Sequence, residues 1–298
     1  MKPIHLRLPA TSANLGPGFD SLAVALKLYL HIDAGPSERV RVQAAGRDAE
    51  ICGAVENNLL IDTYREILAA QSREFVPLTL EVRNEIPLGM GCGSSAAVRL
   101  AAAALASHFG GLAWSGERIL AEGSRLEGHP DNAAACWLGG FVASACEGDT
   151  VQAVSIAPPP DWRAVIAMPE RPVATTASRA VLPDTYARRD VVANLQRVAL
   201  LTAAFATGRA DAMVIAMGDR LHQPFRGKVC PLLARLLPLA GKRGIAGVAL
   251  SGAGPGVLLL TVSEDAAKQA RDLAAAELEG LGRIEFLTCE LENRPVRF

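Results

Sequence analysis

A glycine-rich segment followed by two serines is the part of this sequence best suited to chemistry. Residues 87–95 read PLGMGCGSS and lead into an alanine-rich stretch that ends near Phe109. Glycines let the backbone turn sharply and approach a ligand closely, and the N-terminus of a helix adds partial positive charge. Successive N–H groups in such a loop can surround an anion. The segment therefore predicts a polyphosphate site, although a tight turn with a serine helix cap would also produce this pattern.

Two better-known phosphate loops do not fit this segment. A Walker A loop needs Gly-Lys-Ser or Gly-Lys-Thr, and the segment contains no lysine. The Rossmann fingerprint is matched nominally by Gly91, Gly93 and Ala96, but it requires a strand that runs straight into the loop and an acidic residue about 20 positions later. Pro87 interrupts that approach, and the first acidic residue downstream is Glu117, in a Trp-Ser-Gly-Glu turn.

Other short segments also concentrate polar side chains. Residues 9–20 read PATSANLGPGFD, residues 128–132 read GHPDN and residues 250–255 read LSGAGP. Two arginine segments lie in the second half, where residues 175–179 read TTASR and residues 219–226 read DRLHQPFR. Arginine is suited to a two-pronged grip on an anionic group such as a carboxylate.

Hydrophobic periodicity predicts the elements that position these segments. Alternating apolar and polar residues predict strands, and apolar residues at helical spacing predict helices. We expect Ser94 or Ser95 to cap the helix that begins near Ala96. The predicted strands are 26–33, 78–83, 164–168, 284–291 and a pair around 251–256. The predicted helices are 58–70, 96–109, 115–126, 191–207, 210–217 and 264–280.

Length and proline content divide the chain. At about 150 residues per domain, 298 residues correspond to about two domains. Pro158, Pro159 and Pro160 can neither extend a helix nor complete a central strand, so they mark a linker. We predict an N-terminal domain over 1–157 and a C-terminal domain over 161–298. Strands and helices are mixed without a regular βαβ rhythm.

Composition and charge argue against several classes of protein. Hydrophobic residues make up 50% of the chain, enough for a sizeable core, and the formal net charge of −1 gives no basic excess for binding nucleic acid. No apolar run reaches the roughly 18 residues that a membrane span needs, and residues 1–5 do not begin a secretory signal. The six cysteines are scattered without a C-x-x-C pair. We therefore expect free thiols, a cytoplasmic location, and no membrane or nucleic-acid partner.

In their order and spacing, the segments 9–20, 87–97 and 250–255 resemble those of the GHMP kinases, a family of small-molecule kinases. Within that family, PATSANLGPGFD and GHPDN resemble the homoserine kinases in particular. The resemblance extends from residue 3 to about residue 260. It implies an α+β, two-domain GHMP kinase fold. The N-terminal domain would be like ribosomal protein S5 domain 2, the C-terminal domain would be ferredoxin-like, and the active site would lie between them.

The sequence departs from the homoserine kinase pattern at three places. Cys92 stands where leucine is usual, residues 133–135 are three alanines in place of Val-Ala-Pro, and Ala174-Thr175 replaces a Ser-Thr pair. None of these changes removes a charged group. The first would put a thiol beside the nucleotide phosphates, so we expect sensitivity to alkylating reagents.

The resemblance implies ATP and Mg²⁺ and assigns residues to them. Ser95 would supply a hydroxyl and Glu122 a carboxylate to magnesium. Glu127 is the alternative, because the spacing between this helix and His129 differs among relatives. Thr175 would contact the attacking hydroxyl or the γ-phosphate. The residues implied to bind ATP are Pro87, Leu88, Gly89, Met90, Gly91, Cys92, Gly93, Ser94, Ser95, Ala96, Ala97, Ser251 and Gly252.

The implied substrate is L-homoserine, whose ammonium and carboxylate groups need partners of opposite charge. Asp20 would pair with the ammonium, and Arg179 and Arg226 would grip the carboxylate. His129 would donate a hydrogen bond to the substrate, with Asp131 holding it in place. No general base is assigned, because a loose, metaphosphate-like transition state needs little base catalysis. The residues implied to bind the substrate are Asn14, Asp20, His129, Asp131, Asn132, Arg179 and Arg226.

Three functions follow from these patterns. The leading one is ATP-dependent phosphorylation of homoserine in threonine biosynthesis, by a chain that we expect to form a homodimer. A GHMP kinase for another alcohol, such as mevalonate or a sugar, is the second, and the arginine pair with Asp20 favours an amino acid over it. A catalytically silent ligand sensor is the third, and the retention of Ser95, Glu122 and His129 argues against it.

Overall fold

The computed structural model describes residues 2–170 and 175–297, with only the backbone for 175–177. Within these ranges, two sheets are covered by helices. The strands are β1 (Ile4–Asn14), β2 (Gly18–Pro36), β3 (Arg41–Gly46), β4 (Leu78–Asn84), β5 (Phe141–Glu147), β6 (Thr150–Ile156), β7 (Arg163–Pro169), β8 (Ile245–Leu250), β9 (Val257–Thr261) and β10 (Ile284–Glu290). The helices are α1 (Ala49–Gly53), α2 (Leu59–Ala70), α3 (Ser94–Phe109), α4 (Gly116–Glu127), α5 (Asp131–Leu138), α6 (Thr175–Ala180), α7 (Arg188–Thr207), α8 (Met213–Ala216), α9 (Gln223–Arg226), α10 (Pro231–Leu236) and α11 (Glu264–Glu277).

The first sheet is organised around β2. Its strand order is β3-β4-β2-β5-β6, and β1 also pairs with β2. β3 and β4 run parallel, and the other described neighbours are antiparallel. Because β2 is 19 residues long, its residues 30–36 pair with β4 while its residues 22–24 pair with β5. The strands predicted at 26–33 and 78–83 are confirmed.

Helix α3 lies at the centre of the first half. It packs between α2 and α4 and against β1 and β2. Alanine is the best helix former and has a small side chain, so the alanine run lets neighbouring elements approach closely. Where α4 crosses α3, a Cβ on Gly123 would lie 2.6 Å from the Leu100 side chain, so the glycine lets the two helices approach closely. The packing fixes where α3 begins, and this start is the part of the helix that faces the site described below.

The second sheet is antiparallel, with strand order β10-β7-β9-β8. A strand, a helical segment, two strands, α11 and a last strand follow one another along the chain, which is the ferredoxin-like plan. Alternate residues of its central strands face opposite sides. Ile166 and Leu258 join the large core shared with the first sheet, while Val165 and Leu259 join a smaller core with α10 and α11. The predicted α+β class is confirmed.

Two predicted helices differ from the observed ones. The stretch 210–217 is a short 3₁₀ turn, Ala210–Ala212, followed by the single turn of α8. Helix α11 ends at Glu277, earlier than predicted, and Gly280 beyond it has a positive φ of 87°. Apolar periodicity alone indicates neither the 3₁₀ turn at 210–212 nor the point where α11 ends.

Along the chain, the strands of the first sheet all precede residues 157–162, the stretch that contains the three prolines. The strands of the second sheet all follow it. The C-terminal tail nevertheless returns to the first sheet. The Glu292 N–H donates to the Ala25 carbonyl at 2.9 Å, and the Val296 N–H donates to the Trp137 carbonyl at 2.9 Å. The domain limits 1–157 and 161–298 stay a prediction. In the part of the chain described here, no helix is both long and apolar enough to span a bilayer.

Candidate active site

A cleft of about 200 Å³ lies between the two halves of the chain. Short loops from both halves contribute to it. Of the residues predicted from the sequence, the cleft is lined by Asn14, Asp20, Gly89, Gly91, Cys92, Gly93, Ser94, Ser95, His129, Asp131, Asn132, Arg179, Arg226 and Gly252. The structure thus brings together most of the predicted nucleotide and substrate residues.

The remaining predicted residues lie outside the cleft lining. Pro87, Leu88 and Met90 line a neighbouring surface depression of about 440 Å³. Ala96 and Ala97 are buried within α3, and Ser251 is buried beneath the loop. The Thr175 side chain is outside the part of the chain that the structure describes.

The glycine loop ends at the N-terminus of α3. Gly93 precedes the helix in the left-handed conformation, with φ 68°, and α3 begins at Ser94. Both serines therefore lie in the first turn, and the prediction that one of them caps the helix is wrong. A Cβ on Gly93 would lie 1.9 Å from Oγ1 of Thr11, so only glycine fits. The loop thus brings the amide-rich helix end directly to the cleft.

The segment around Ser251 supports the loop from the second half of the chain. The Ser251 hydroxyl donates to the Gly91 carbonyl at 2.7 Å and lies 2.9 Å from the Ser12 hydroxyl. A Cβ on Gly91 would lie 2.1 Å from the Ser251 carbonyl oxygen. The Thr11 N–H also donates to the Cys92 carbonyl at 3.0 Å. These contacts make the loop a junction between the first strand and the second sheet.

The Cys92 thiol is not poised for reaction. The residue is 1% exposed, and burial raises the pKa of the Cys92 thiol to about 12. Because the thiolate is the nucleophile, this burial argues against the expected sensitivity of Cys92 to alkylating reagents, which stays a prediction. All six cysteines are free, which confirms the prediction of free thiols, and Cys146 is an exposed one.

The Ser95 hydroxyl has Glu127 as its partner. It donates to one carboxylate oxygen of Glu127 at 2.9 Å, and the other oxygen lies 3.1 Å from Nε of Arg99. Glu122 lies away from this pair, between Arg118 at 3.2 Å and Arg125 at 2.7 Å. The structure therefore brings Ser95 to Glu127, the alternative magnesium ligand, and not to Glu122, the preferred one.

The geometry of α4 explains this outcome. The two glutamates are five positions apart, which corresponds to a rotation of about 140° around the helix axis. Glu127 is the last residue of α4, and it lines the cleft beside Ser95. Glu122 is buried at 4% exposure but outside the cleft lining. Ser95 and Glu127 are therefore the two side chains whose oxygens the structure brings together at the cleft.

His129 follows the end of α4, after Gly128 with a positive φ of 80°. Its Nδ1 lies 2.5 Å from Oδ1 of Asp131. Burial alone would lower the pKa of His129, but the hydrogen bond to Asp131 and the negative charges of Asp131, Asp20 and Glu127 together raise it. Asp131 thereby orients the ring. The neighbouring Asn132 also donates to Oδ1 of Asp131, through its backbone N–H at 2.6 Å and its Nδ2 at 3.3 Å, and its own Oδ1 accepts from the Thr11 hydroxyl at 2.7 Å.

Asn14 and Asp20 shape the loop between β1 and β2. Both have positive φ, 68° and 55°, which asparagine and aspartate tolerate better than most residues. The Asp20 N–H donates to Oδ1 of Asn14 at 3.0 Å, and Nδ2 of Asn14 donates to the Gly252 carbonyl at 2.9 Å. Asn14 therefore ties its loop to the second half, and this leaves the Asp20 carboxylate at the cleft.

Asp20 and Arg179 form a two-pronged ion pair, with N–O distances of 2.7 and 3.0 Å. From the sequence, Asp20 and Arg179 were expected to bind different groups of the substrate, and their mutual contact was not predicted. Arg226 differs because it is 2% exposed, and its Nε donates to the Ser178 carbonyl at 3.2 Å. Burial and the nearby charge of Arg179 lower the pKa of Arg226. Among the described residues no carboxylate lies within ion-pair distance of Arg226, and the negative charges that act on it, led by Asp20, are farther away.

Sequence reasoning missed two features of the site. Phe19 lies under both arginines, with its ring centroid 5.5 Å from Arg179 and 5.1 Å from Arg226. A second, apolar cavity of about 270 Å³ adjoins Ser94 and Ser95. Its apolar lining comes from Leu30, Ile32, Ile51, Leu59, Leu60, Val82, Leu88 and Val98. Ile51 and Leu59 are apolar and yet exposed. Their exposure could not be predicted from the sequence, because it depends on how the elements pack together.

Comparison with known families matches both halves of the chain. The GHMP kinases N terminal domain matches residues 58–140, and the GHMP kinases C terminal domain matches residues 201–279. A homoserine kinase from Solibacter usitatus (strain Ellin6076) is 46% identical over 258 residues, which cover 86% of this chain and 84% of that protein.

Solved structures agree with this match. The crystal structure of a homoserine kinase from Cytophaga hutchinsonii aligns with a TM-score of 0.83 at 25% identity, covering 100% of this chain and 97% of that one. A putative homoserine kinase from Listeria monocytogenes aligns with a TM-score of 0.78 at 28% identity, covering 99% and 98%. The expected GHMP kinase fold is thereby confirmed. With both domains matched and a relative nearly half identical over most of its length, the chain belongs to the GHMP kinase family and, within it, to the homoserine kinases.

Proposed function

We propose that this protein transfers the γ-phosphoryl group of ATP to the side-chain hydroxyl of L-homoserine, giving O-phospho-L-homoserine. One observation carries the proposal. A glycine loop at a helix N-terminus and a buried arginine without a carboxylate partner line the same cleft. The loop suits a polyphosphate, and the arginine suits a second anionic group such as a carboxylate. The relatives named homoserine kinase support this substrate.

The nucleotide would occupy both cavities. Its phosphates would lie on the loop 89–95 and the N-terminus of α3, where backbone amides and the helix dipole favour negative charge. The apolar cavity begins at Ser94 and Ser95 and is large enough to take a planar base. We therefore assign the adenine ring to the surface formed by Ile51, Leu59 and Val98.

Ser95 and Glu127 fit a magnesium ion. Mg²⁺ prefers oxygen ligands and is usually bound in proteins through one or two carboxylates together with substrate phosphates. A hydroxyl and a carboxylate already 2.9 Å apart at the phosphate loop match that donor set. When bound there, the ion would neutralise charge on the β- and γ-phosphates. Glu127 takes the role that the sequence analysis gave to Glu122.

The substrate end of the cleft suits a zwitterion. Asp20 and Arg179 present opposite charges side by side, and Arg226 adds an unpaired positive charge. An α-amino acid offers an ammonium to Asp20 and a carboxylate to the arginines. Mevalonate lacks the ammonium and a sugar lacks both groups, so this arrangement does not favour either. Asn14 and Asn132 would complete the walls of the subsite.

The remaining chemistry is largely positioning. His129, held by Asp131, would donate a hydrogen bond to the substrate through its Nε2 edge. Thr175 keeps its predicted role next to the attacking hydroxyl or the γ-phosphate. Holding the hydroxyl in line with the γ-phosphorus turns a bimolecular reaction into an effectively unimolecular one. We assign no general base, because a loose transition state needs little proton transfer at the start.

The wider setting of the reaction is proposed on the same basis. O-phosphohomoserine formation would place the protein in threonine biosynthesis, and free cysteines in all six positions suit a reducing cytoplasm. The homodimer stays a prediction that sedimentation analysis would test.

The experiment that tests the function is an ADP-release assay with Mg-ATP and one of three acceptors. We expect turnover with L-homoserine and none above background with mevalonate or galactose. Turnover with mevalonate or galactose in preference to homoserine would contradict the proposed substrate. Tight binding of homoserine without ADP release would point to the silent sensor.

A further inference from the structure

His222 is a fully buried side chain that the proposed reaction leaves without a role. It directly precedes α9, one helical turn before Arg226, and has 0% exposure. Its ring stacks on Phe19, with centroids 5.3 Å apart. Phe19 also lies under the guanidinium of Arg226, so the histidine, the phenyl ring and the arginine form one packed group.

The two ring nitrogens have different partners, and these determine how the ring is protonated. Nε2 lies 2.7 Å from the Gly16 carbonyl oxygen, which can only accept, so Nε2 carries the hydrogen and donates it. Nδ1 lies 3.3 Å from Nη1 of Arg226, which can only donate. Nδ1 must therefore present its lone pair. His222 is thus the neutral tautomer with its hydrogen on Nε2.

The surroundings favour this neutral form. Burial and the charge of Arg226 lower the pKa of His222, against the opposing effects of Asp219 and Asp20. The nearest carboxylate oxygen, on Asp219, is 3.6 Å from Nε2 and is also held by backbone amides that include those of His222 and Gln223. A protonated ring would put a second positive charge next to the guanidinium of Arg226.

We infer that His222 is a positioning residue that aims the Arg226 guanidinium at the substrate carboxylate while leaving the charge of that guanidinium unpaired. The other acceptors near Arg226 are also neutral, namely the carbonyls of Ser178 at 3.2 Å and Gly252 at 3.4 Å. A carboxylate in place of the imidazole would hold the arginine equally well but would neutralise the charge that the substrate needs. The inference rests on the proposed function, in which Arg226 receives the carboxylate.

Two amide substitutions separate the two ring nitrogens. His222→Asn keeps an oxygen near the Nδ1 position that can accept from Arg226, whereas His222→Gln keeps a donor near the Nε2 position and loses that acceptor. We expect His222→Gln to raise the KM for homoserine about 10-fold or more and His222→Asn to raise it much less. The KM for ATP should stay unchanged in both variants, and their melting temperatures should be similar. Equal effects of the two variants on the homoserine KM would overturn the inference.

A double-mutant cycle distinguishes this inference from the proposed function. If His222 acts through Arg226, then His222→Gln should add nothing to the homoserine KM of an Arg226→Ala enzyme. Additive effects would show that His222 acts by another route. If Arg226→Ala raises the KM while His222→Gln does not, the inference alone fails. If Arg226→Ala has no effect on the KM, the proposed carboxylate contact itself fails.

The wild-type protein offers a test that does not depend on folding of a variant. Long-range ¹H–¹⁵N NMR spectra distinguish the two neutral histidine tautomers and the charged ring. We expect His222 to show a protonated Nε2 and a bare Nδ1 at pH 7 and above. A charged ring at pH 7, or a hydrogen on Nδ1, would overturn the inference.

Discussion

Glu127 and Glu122 lie on one helix, but their partners give them different roles. Glu127 accepts from Ser95 at the phosphate loop, whereas Glu122 is enclosed by Arg118 and Arg125. We expect Glu127→Gln to lower kcat at least about 10-fold and to raise the Mg²⁺ concentration needed for half-maximal rate. Glu122→Gln is the matched control. It should lower the melting temperature, because it leaves two arginines without their partner, and it should leave the magnesium dependence unchanged.

Steady-state rates over a range of Mg²⁺ concentrations at saturating ATP and homoserine measure this difference. A shifted magnesium dependence in Glu122→Gln together with an unchanged one in Glu127→Gln would contradict the assignment.

At the scale of elements, the glycine loop depends on contact with the segment between β8 and β9. A Cβ on Gly91 would collide with the Ser251 carbonyl, and Gly91 also has a positive φ of 77°. Gly111 has a comparable φ of 62° but open space around its Cβ position, so it serves as the control. We expect Gly111→Ala to cost about 1–2 kcal/mol of stability and to leave the KM for ATP unchanged.

Gly91→Ala should bear the same conformational cost and in addition displace the loop, raising the KM for ATP about 10-fold or more. Thermal melting and steady-state kinetics on the two variants provide the comparison. An unchanged KM for ATP in a folded Gly91→Ala protein would show that the phosphates do not depend on this loop.

Six of the ten described strands and the five longest helices were predicted from the sequence, whereas β1, β3, β5 and β6 were not. Strands such as 26–33 and 78–83 alternate clearly, and the helix at 58–70 is confirmed, with Asn58 as its cap. The start of α3 was not predictable, because it depends on Gly93 fitting against Thr11, a residue 82 positions away. The partner of Ser95 was missed for a similar reason. Choosing between Glu122 and Glu127 requires the rotation of α4 relative to α3, which local spacing does not contain.

Charged contacts between distant segments were the least predictable part of the site. Asp20 and Arg179 are 159 residues apart and were recognised separately, but their ion pair follows only from the packing of the two halves. The apolar cavity beside Ser94 was missed because its lining comes from six separate segments.

At the scale of the whole molecule, Glu292 fastens the C-terminal tail to the first sheet. It is 2% exposed, and its carboxylate accepts from the Tyr29 hydroxyl at 2.6 Å and from the N–H groups of Asn293 and Arg294. Burial alone would raise the pKa of Glu292, but these hydrogen bonds and the charge of Arg7 lower it. Ionisation of this carboxylate therefore strengthens the tail contact.

We expect Glu292→Gln to lower the free energy of unfolding by about 2 kcal/mol at pH 7. Because the pKa of Glu292 is lower in the folded state than in the unfolded state, its stabilisation is complete above the unfolded value of about 4.3 and is lost as the pH falls through the folded value. The difference between wild type and variant should therefore shrink below about pH 4.3. Urea denaturation at pH 7 and at pH 3.5 measures it.

Glu290→Gln is the control for the tail. Glu290 is exposed and pairs with Lys27, so its loss should cost less than about 1 kcal/mol. Equal destabilisation by the two variants at pH 7 would contradict the role given to Glu292.

The central claim is that this cleft holds the carboxylate of an amino-acid substrate through Arg226 while it phosphorylates the hydroxyl. The most direct measurement compares kcat/KM for homoserine and for its methyl ester, in wild type and in Arg226→Ala. Breaking one side of a buried charge pair costs about 2–5 kcal/mol, so wild type should prefer the free acid by about 30-fold or more. Arg226→Ala should lose most of that preference while its KM for ATP stays unchanged. The same preference in both enzymes would show that Arg226 does not touch the carboxylate and would contradict this account of the site.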